Sequence, residues 1–285
     1  MTSHAAVPFR HGLLSISAAA VAWGVGGAVA ALLLRTSGLG PVAVSFWRFA
    51  VAALCLAVLP RRERRRTPRR AAVLTGIGLA VSQCAYFGSV RFAGLGLGTL
   101  ITIGAGPVLT SLGAHVLLGE RLTRRAAVAV VSALGGLALL VAAPAAGPRP
   151  ALGVGLALLA GAGQSGLTLW ARGGGSARAS TGAFTTGLLC LLPLAAVEGV
   201  LPTAGDPALT GGALLFLGTV PTLFAYRWYF TGLAVVPGTT AAVLVLLEPA
   251  TAAVIGVAFL GEPLTAGLLA GSALLLVAIA ALARE

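Results

Sequence analysis

The chain has 285 residues, of which 58% are hydrophobic and 9% charged, with a mean hydropathy of +1.00 and a formal net charge of +12. A soluble domain carries about a quarter charged residues. Seven acidic residues cannot solvate a surface of this size, so a soluble globule is excluded and the chain is expected to lie in lipid.

A bilayer core about 30 Å thick is crossed by about 20 residues at about 1.5 Å each. Ten apolar segments of that length follow one another: 13–34, 41–60, 71–91, 97–118, 125–143, 151–171, 180–201, 211–232, 239–260 and 265–283. The pair 71–91 and 97–118 is the least cleanly separated. These are runs of continuous Ala, Leu, Val and Gly, whereas barrel strands alternate over about ten residues, so the expected fold is an all-α integral membrane protein. The 40 glycines suit close helix contact, as in Gly267 to Gly271. The first segment exceeds the apolar core of a signal peptide and is read as an uncleaved span. Cys55, Cys84 and Cys190 fall inside spans without metal-like spacing, and no metal, cofactor or disulfide is implied.

The basic run Arg61 to Arg70 joins two spans, which makes it a cytoplasmic anchor rather than a nucleic-acid patch. With the N-terminus inside, fourteen arginines fall on inner segments and three, Arg35, Arg91 and Arg149, on outer ones. Both termini are therefore expected in the cytoplasm.

The sequence repeats itself. Leu117 to Thr123 reads LLGERLT and Phe259 to Thr265 reads FLGEPLT, 142 positions later. At an offset near 140, Ala85-Tyr86 falls on Ala225-Tyr226 and Gly98-Thr99 on Gly238-Thr239; at 137, Gly24, Gly26 and Arg35 fall on Gly161, Gly163 and Arg172. Residues 13–143 and 151–283 thus form two five-span units, with residues 1–12 a cytoplasmic N-terminus and 144–150 a linker. An odd number of spans inserts the second unit upside down. Ten transmembrane helices as two inverted-topology five-helix repeats is an architecture of secondary transporters.

Trp23-Gly24, Pro41, Arg48-Phe49 and Pro107 lead to Leu118-Gly119-Glu120-x-Leu-Thr123. Glu248-Pro249 leads to Leu260-Gly261-Glu262-x-Leu-Thr265. In their order and duplication these motifs resemble the drug/metabolite transporter superfamily, in its EamA-like ten-span family, over nearly the whole chain. The resemblance implies a basket in which spans 1–4 and 6–9 surround the substrate path and spans 5 and 10 lie at the edge, facing lipid or a second copy in a homodimer. It implies export of amino acids, metabolites or toxic compounds. Arginine without any lysine fits a high-GC bacterial coding sequence, and with the resemblance places the chain in a bacterial cytoplasmic membrane.

Ionisable groups within spans are rare and mark function. Three stand out: Arg48, Arg227 and Glu248. Glu248 lies about 14 Å from the inner boundary, near the midplane, and Arg48 about 10 Å from the outer one. A carboxylate at that depth is kept by a cationic neighbour, Arg48 or Arg227, or by carrying a proton. Pro249 removes a backbone donor and disturbs the helix near Leu244 to Pro249. In the first repeat Gly106 occupies the place of Glu248, so the site is asymmetric. Arg227 lies nearer the inner boundary, where its side chain can snorkel. Trp23, Gln83, Tyr86, Gln164, Trp170 and Tyr226 are expected on the cavity wall, with Trp170 equally suited to an interface anchor. Pro107, Gly119, Glu120, Thr123, Pro249, Gly261, Glu262 and Thr265 read as hinges and caps, with Thr123 and Thr265 as N-caps.

Other classes are weaker. Gly163-Gln164-Ser165-Gly166 matches a rhomboid-type serine-protease pattern, yet His4, His11 and His115 all precede Ser165 and none follows to take its proton. A scaffold or receptor needs no midplane carboxylate and no inverted halves. No ring of carboxylates or carbonyl filter marks a channel. The chain lacks lysine and a phosphate-binding loop, which excludes ATP hydrolysis. The sequence therefore points to a secondary transporter of a small molecule, driven by protons through Glu248 or working as an uncoupled facilitator.

Overall fold

The computed structural model describes residues 8–58, 67–93, 95–121, 149–174 and 179–259, together with 123, 124, 127, 128, 130–132, 134, 135, 270, 273, 274 and 277. Gly261, Glu262 and Thr265, and most of the spans expected at 125–143 and 265–283, lie outside the described residues. Seven helices among the described residues are long and apolar enough to cross a membrane. In chain order the helices are α1 (Phe9–Thr36), α2 (Pro41–Val58), α3 (Arg69–Ala93), α4 (Leu95–Leu118), α5 (Pro150–Arg172), α6 (Thr181–Glu198) and α7 (Pro207–Gly218). A π-helical turn at Thr219–Phe224 leads into α8 (Ala225–Gly232), and α9 (Gly238–Leu244) and α10 (Leu247–Phe259) follow.

Local chemistry sets the ends. The Asp206 carboxylate accepts from the amides of Ala208 at 2.7 Å and Leu209 at 2.9 Å, and Pro207 follows at the first helical position, where a missing N–H is harmless. Ser180 caps α6 by accepting from Ala183 N at 3.2 Å. At the end of α4, Gly119 takes φ of 67°, a left-handed conformation natural to glycine, and Glu120 N returns to Ala114 O at 3.0 Å. That is a glycine-closed helix C-terminus, and it explains why Leu-Gly precedes the glutamate.

The helices pack in pairs related by the repeat. α1 lies against α8 and α10 of the second half, and α5 lies against α3 and α4 of the first, while α6 sits between α2 and α3. Small residues make the crossings. A Cβ on Gly24 would meet Glu248 O, and one on Gly161, 137 positions later, would meet Thr102 O and Ala105. In the same register Gly26 abuts Pro221 as Gly163 abuts Ser82, and Gly232 abuts Ile16 as Gly153 abuts Ala93. Hydroxyls tighten the second set: Ser82 Oγ donates to Ala160 O at 3.2 Å and Ser165 Oγ to Gly106 O at 3.2 Å. Lipid gives helices no hydrophobic reason to associate, so contact of this sort holds the bundle together. Exposed Leu14, Leu54, Leu74, Val116 and Leu189 form its apolar outer surface.

Candidate functional site

Two helices of the second half are interrupted. Pro221 has no N–H to offer, and the chain widens into the π turn there. The hydroxyl of Thr222 donates to Leu217 O, five residues back, at 2.7 Å. It also accepts from Arg48 Nε at 3.0 Å. Between α9 and α10 the helix is interrupted at Val245 and Leu246. Leu246 N bonds Val243 O at 3.0 Å and Glu248 N bonds Val245 O at 2.9 Å, which are tightened turns ahead of Pro249. The aligned Pro107, by contrast, lies inside an uninterrupted α4.

These breaks bring Arg48, Tyr226 and Glu248 within electrostatic reach of one another, deep in the protein. Arg48 and Glu248 nevertheless keep part of their surface accessible. Among the described residues Arg48 and Glu248 form no direct ion pair. Arg227 is not the partner: it is exposed, on the outside of α8.

Aromatic rings wall the same region. Trp23 meets Tyr226 and Tyr229, each at 5.3 Å between ring centres, and Phe184 lies 6.2 Å from Tyr226 and 5.7 Å from Phe49. Tyr229 Oη and Thr168 Oγ1 share a 2.6 Å hydrogen bond. Such rings offer flat apolar faces with polar edges. Tyr86, the repeat partner of Tyr226, stands against Phe87 at 5.4 Å. In the repeat register Ala160 takes the place of Trp23, so the aromatic cluster is built on one side only.

The remaining expected residues are placed as follows. Gln83 Nε2 donates to Ser45 Oγ at 3.2 Å, tying α3 to α2. Gln164 is half-buried on α5, and its carbonyl accepts from Thr168 at 3.0 Å. Trp170 packs against the main apolar core. Thr123 directly precedes the helical residue Arg124, and its carbonyl accepts from Ala127 N at 3.0 Å. Ser165 spends its hydroxyl on Gly106 O, as a packing group does. His115 Nδ1 lies 3.0 Å from Glu120 O.

Glu120 does more than end a helix. Its Oε1 accepts from Arg172 Nη2 at 2.6 Å and Nε at 3.1 Å, and its Oε2 accepts from Gly238 N at 3.1 Å. Sequence reading missed Arg172, Tyr229, Thr168 and Thr222 as site residues. Only Tyr229 carried a local signal, since it stands three residues after Tyr226 and so shares its helix face. An open apolar groove of about 310 Å³ beside Cys84, Leu156 and Cys190 lies apart from the charged cluster.

Comparison with known proteins agrees with this architecture. The EamA-like transporter family matches residues 10–142 and again 151–284. The chain is 30% identical over 277 residues to the uncharacterized transporter YwfM of Bacillus subtilis (strain 168), covering 93% of this chain and 91% of that one. It is 34% identical to the uncharacterized protein PA1977 of Pseudomonas aeruginosa, covering 95% and 96%. A solved structure described as a crystal structure of protein superposes with a TM-score of 0.80 at 19% identity, over 96% of this chain and 97% of the other, a likeness of fold.

Proposed function

Because this chain belongs to the EamA-like transporter family, we propose that it is a secondary-active exporter of a small amino acid, metabolite or amphipathic compound, working by alternating access and coupled to protons through Glu248. The family is one of transporters and not of enzymes. In this reading the full chain has ten spans with both termini in the cytoplasm of a bacterium. The arginine distribution supports that orientation.

The observation that carries the proposal is the buried trio Arg48, Tyr226 and Glu248, set where two helices are broken. One guanidinium and one carboxylate within electrostatic reach but not paired, beside the Trp23 and Tyr226 rings, suit a small zwitterion. Its cationic group meets Glu248, its anionic group meets Arg48 and its apolar part lies on the rings. Moving an uncompensated carboxylate between two open states is costly in low dielectric. The site therefore changes state with either substrate or a proton on Glu248, and exchange of one for the other couples their flows.

The test is export from liposomes loaded with a mixed amino-acid and metabolite extract under an inward proton gradient, with mass spectrometry of what leaves. Wild-type protein is expected to release one compound class, and Glu248→Gln much less. Full-rate export by Glu248→Gln with unchanged pH dependence would refute coupling and leave a facilitator. Absence of export by correctly inserted wild-type protein counts against transport of that pool.

A further inference from the structure

At the end of the bundle where α4 and α5 finish and α9 begins, one carboxylate ties three helix ends together. Gly119 turns the chain so that Glu120 projects across to the second half. There it holds Arg172 at the end of α5 through two hydrogen bonds and the first amide of α9 at Gly238 through a third. Arg172 is committed in turn, since its Nη1 donates to Leu233 O at 3.1 Å. Charge-assisted and bidentate bonds of this kind are among the strong ones. The pair is about one-fifth exposed on each side, so water can reach it and replace it when it parts.

The helices beneath this cluster are placed to be separated by it. A Cβ on Gly238 would meet Thr110 Cγ2 and Ala114 Cβ, so α4 touches α9 directly under the carboxylate. Further along, α10 leans on α1 and shares no substantial contact with α4 among the described residues. Thus α4 meets the second half at α9, beside Glu120, and not at α10.

We propose that Glu120, Arg172 and the Gly238 amide form the latch that closes this end of the transport path and parts in every cycle. The inference rests on the alternating-access reading and adds the residues that hold one of its two states. Glu120 comes from the first repeat and Arg172 and the Gly238 amide from the second, and so a break there opens the seam without unfolding any helix.

Thr110, 2% exposed beneath the latch, reports its opening without any substrate. Thr110→Cys is made with Cys55, Cys84 and Cys190 replaced by alanine, and labelled in lipid nanodiscs by a charged, water-soluble maleimide. Glu120→Gln and Arg172→Gln are each expected to speed labelling at least about tenfold, as loss of a charge-assisted bond would. Helicity and detergent melting are measured beside it, and faster labelling with an unchanged melt identifies opening rather than unfolding. Equal labelling rates in all three proteins would overturn the proposal. In a second variant, Glu120→Cys with Arg172→Cys joined by a short reducible thiol cross-linker is expected to abolish export, and reduction to restore it. Undiminished export with the cross-link intact also overturns it. Absence of export in every protein, with the labelling differences present, counts against the transport reading and leaves the latch standing.

Discussion

The backbone carbonyl of Glu248 lies directly against Gly24: a Cβ added there would come within 2.6 Å of that oxygen. The same Cβ would come within 2.6 Å of Thr251 Cβ. The glycine is thus a space reserved for the segment that carries the buried carboxylate. Gly24→Ala is expected to push α10 away from α1 and to destabilise the protein by about 1–3 kcal/mol, the usual range for overpacking. Gly27→Ala, whose Cβ meets nothing, is the control. Detergent melting of the two variants checks this, and equal melts would contradict it.

Thr222 serves two neighbours through one hydroxyl, donating to Leu217 O and accepting from Arg48 Nε. Thr222→Val keeps its shape and removes both bonds. A charged group losing a buried partner costs about 1–3 kcal/mol. We expect lower thermal stability and slower export, whereas Thr231→Val, at an exposed position whose hydroxyl bonds only its own helix, leaves both unchanged.

Arg48 and Arg227 look alike in the sequence and differ in place. Arg48→Gln removes the cation whose field reaches Glu248, and export is expected to be lost. Arg227→Gln changes an exposed side chain and is expected to retain export. Rates in the liposome assay separate the two, and equal defects would show that exposure is the wrong guide.

The repeat register carries the Glu120–Arg172 pair onto Glu262 and Arg35, at the same offsets of 142 and 137 that relate Gly106 to Glu248 and Gly161 to Gly24. Glu262 lies outside the described residues, and among those residues Arg35 has no ion pair. From the sequence repeat we expect export to fall in Arg35→Glu and in Glu262→Arg and to recover in the double variant. Additive losses in that double-mutant cycle would mean the two residues do not interact.

Much of the fold was legible. Helix limits expected from hydropathy agree closely with α1 to α6, and Pro41, Pro150 and Pro207 mark starts where a missing amide does no harm. The interruption ahead of Pro249 was expected from its missing backbone donor, but the aligned Pro107 interrupts nothing, so the proline alone does not decide it. Of the proposed site, Glu248, Arg48, Tyr226 and Trp23 were singled out in the sequence, because a charged or amphipathic group at membrane depth is conspicuous by itself. Tyr229, Thr168 and Thr222 were not, since hydroxyls are ordinary in such helices and acquire meaning only from the group they touch.

The sequence by itself determined that the chain lives in lipid, where its helices run, and that it is built of two related halves, because hydropathy and repetition are local properties that need no partner. Which residues meet was decided by the tertiary structure. A helix apolar on all sides carries no stripe to say which face turns inward, and lipid does not prefer one face over another. The rotation of each helix was set instead by where glycines allow close approach. That rotation turns Arg227 outward and Arg48 inward, and the turn at Gly119 carries Glu120 across to Arg172.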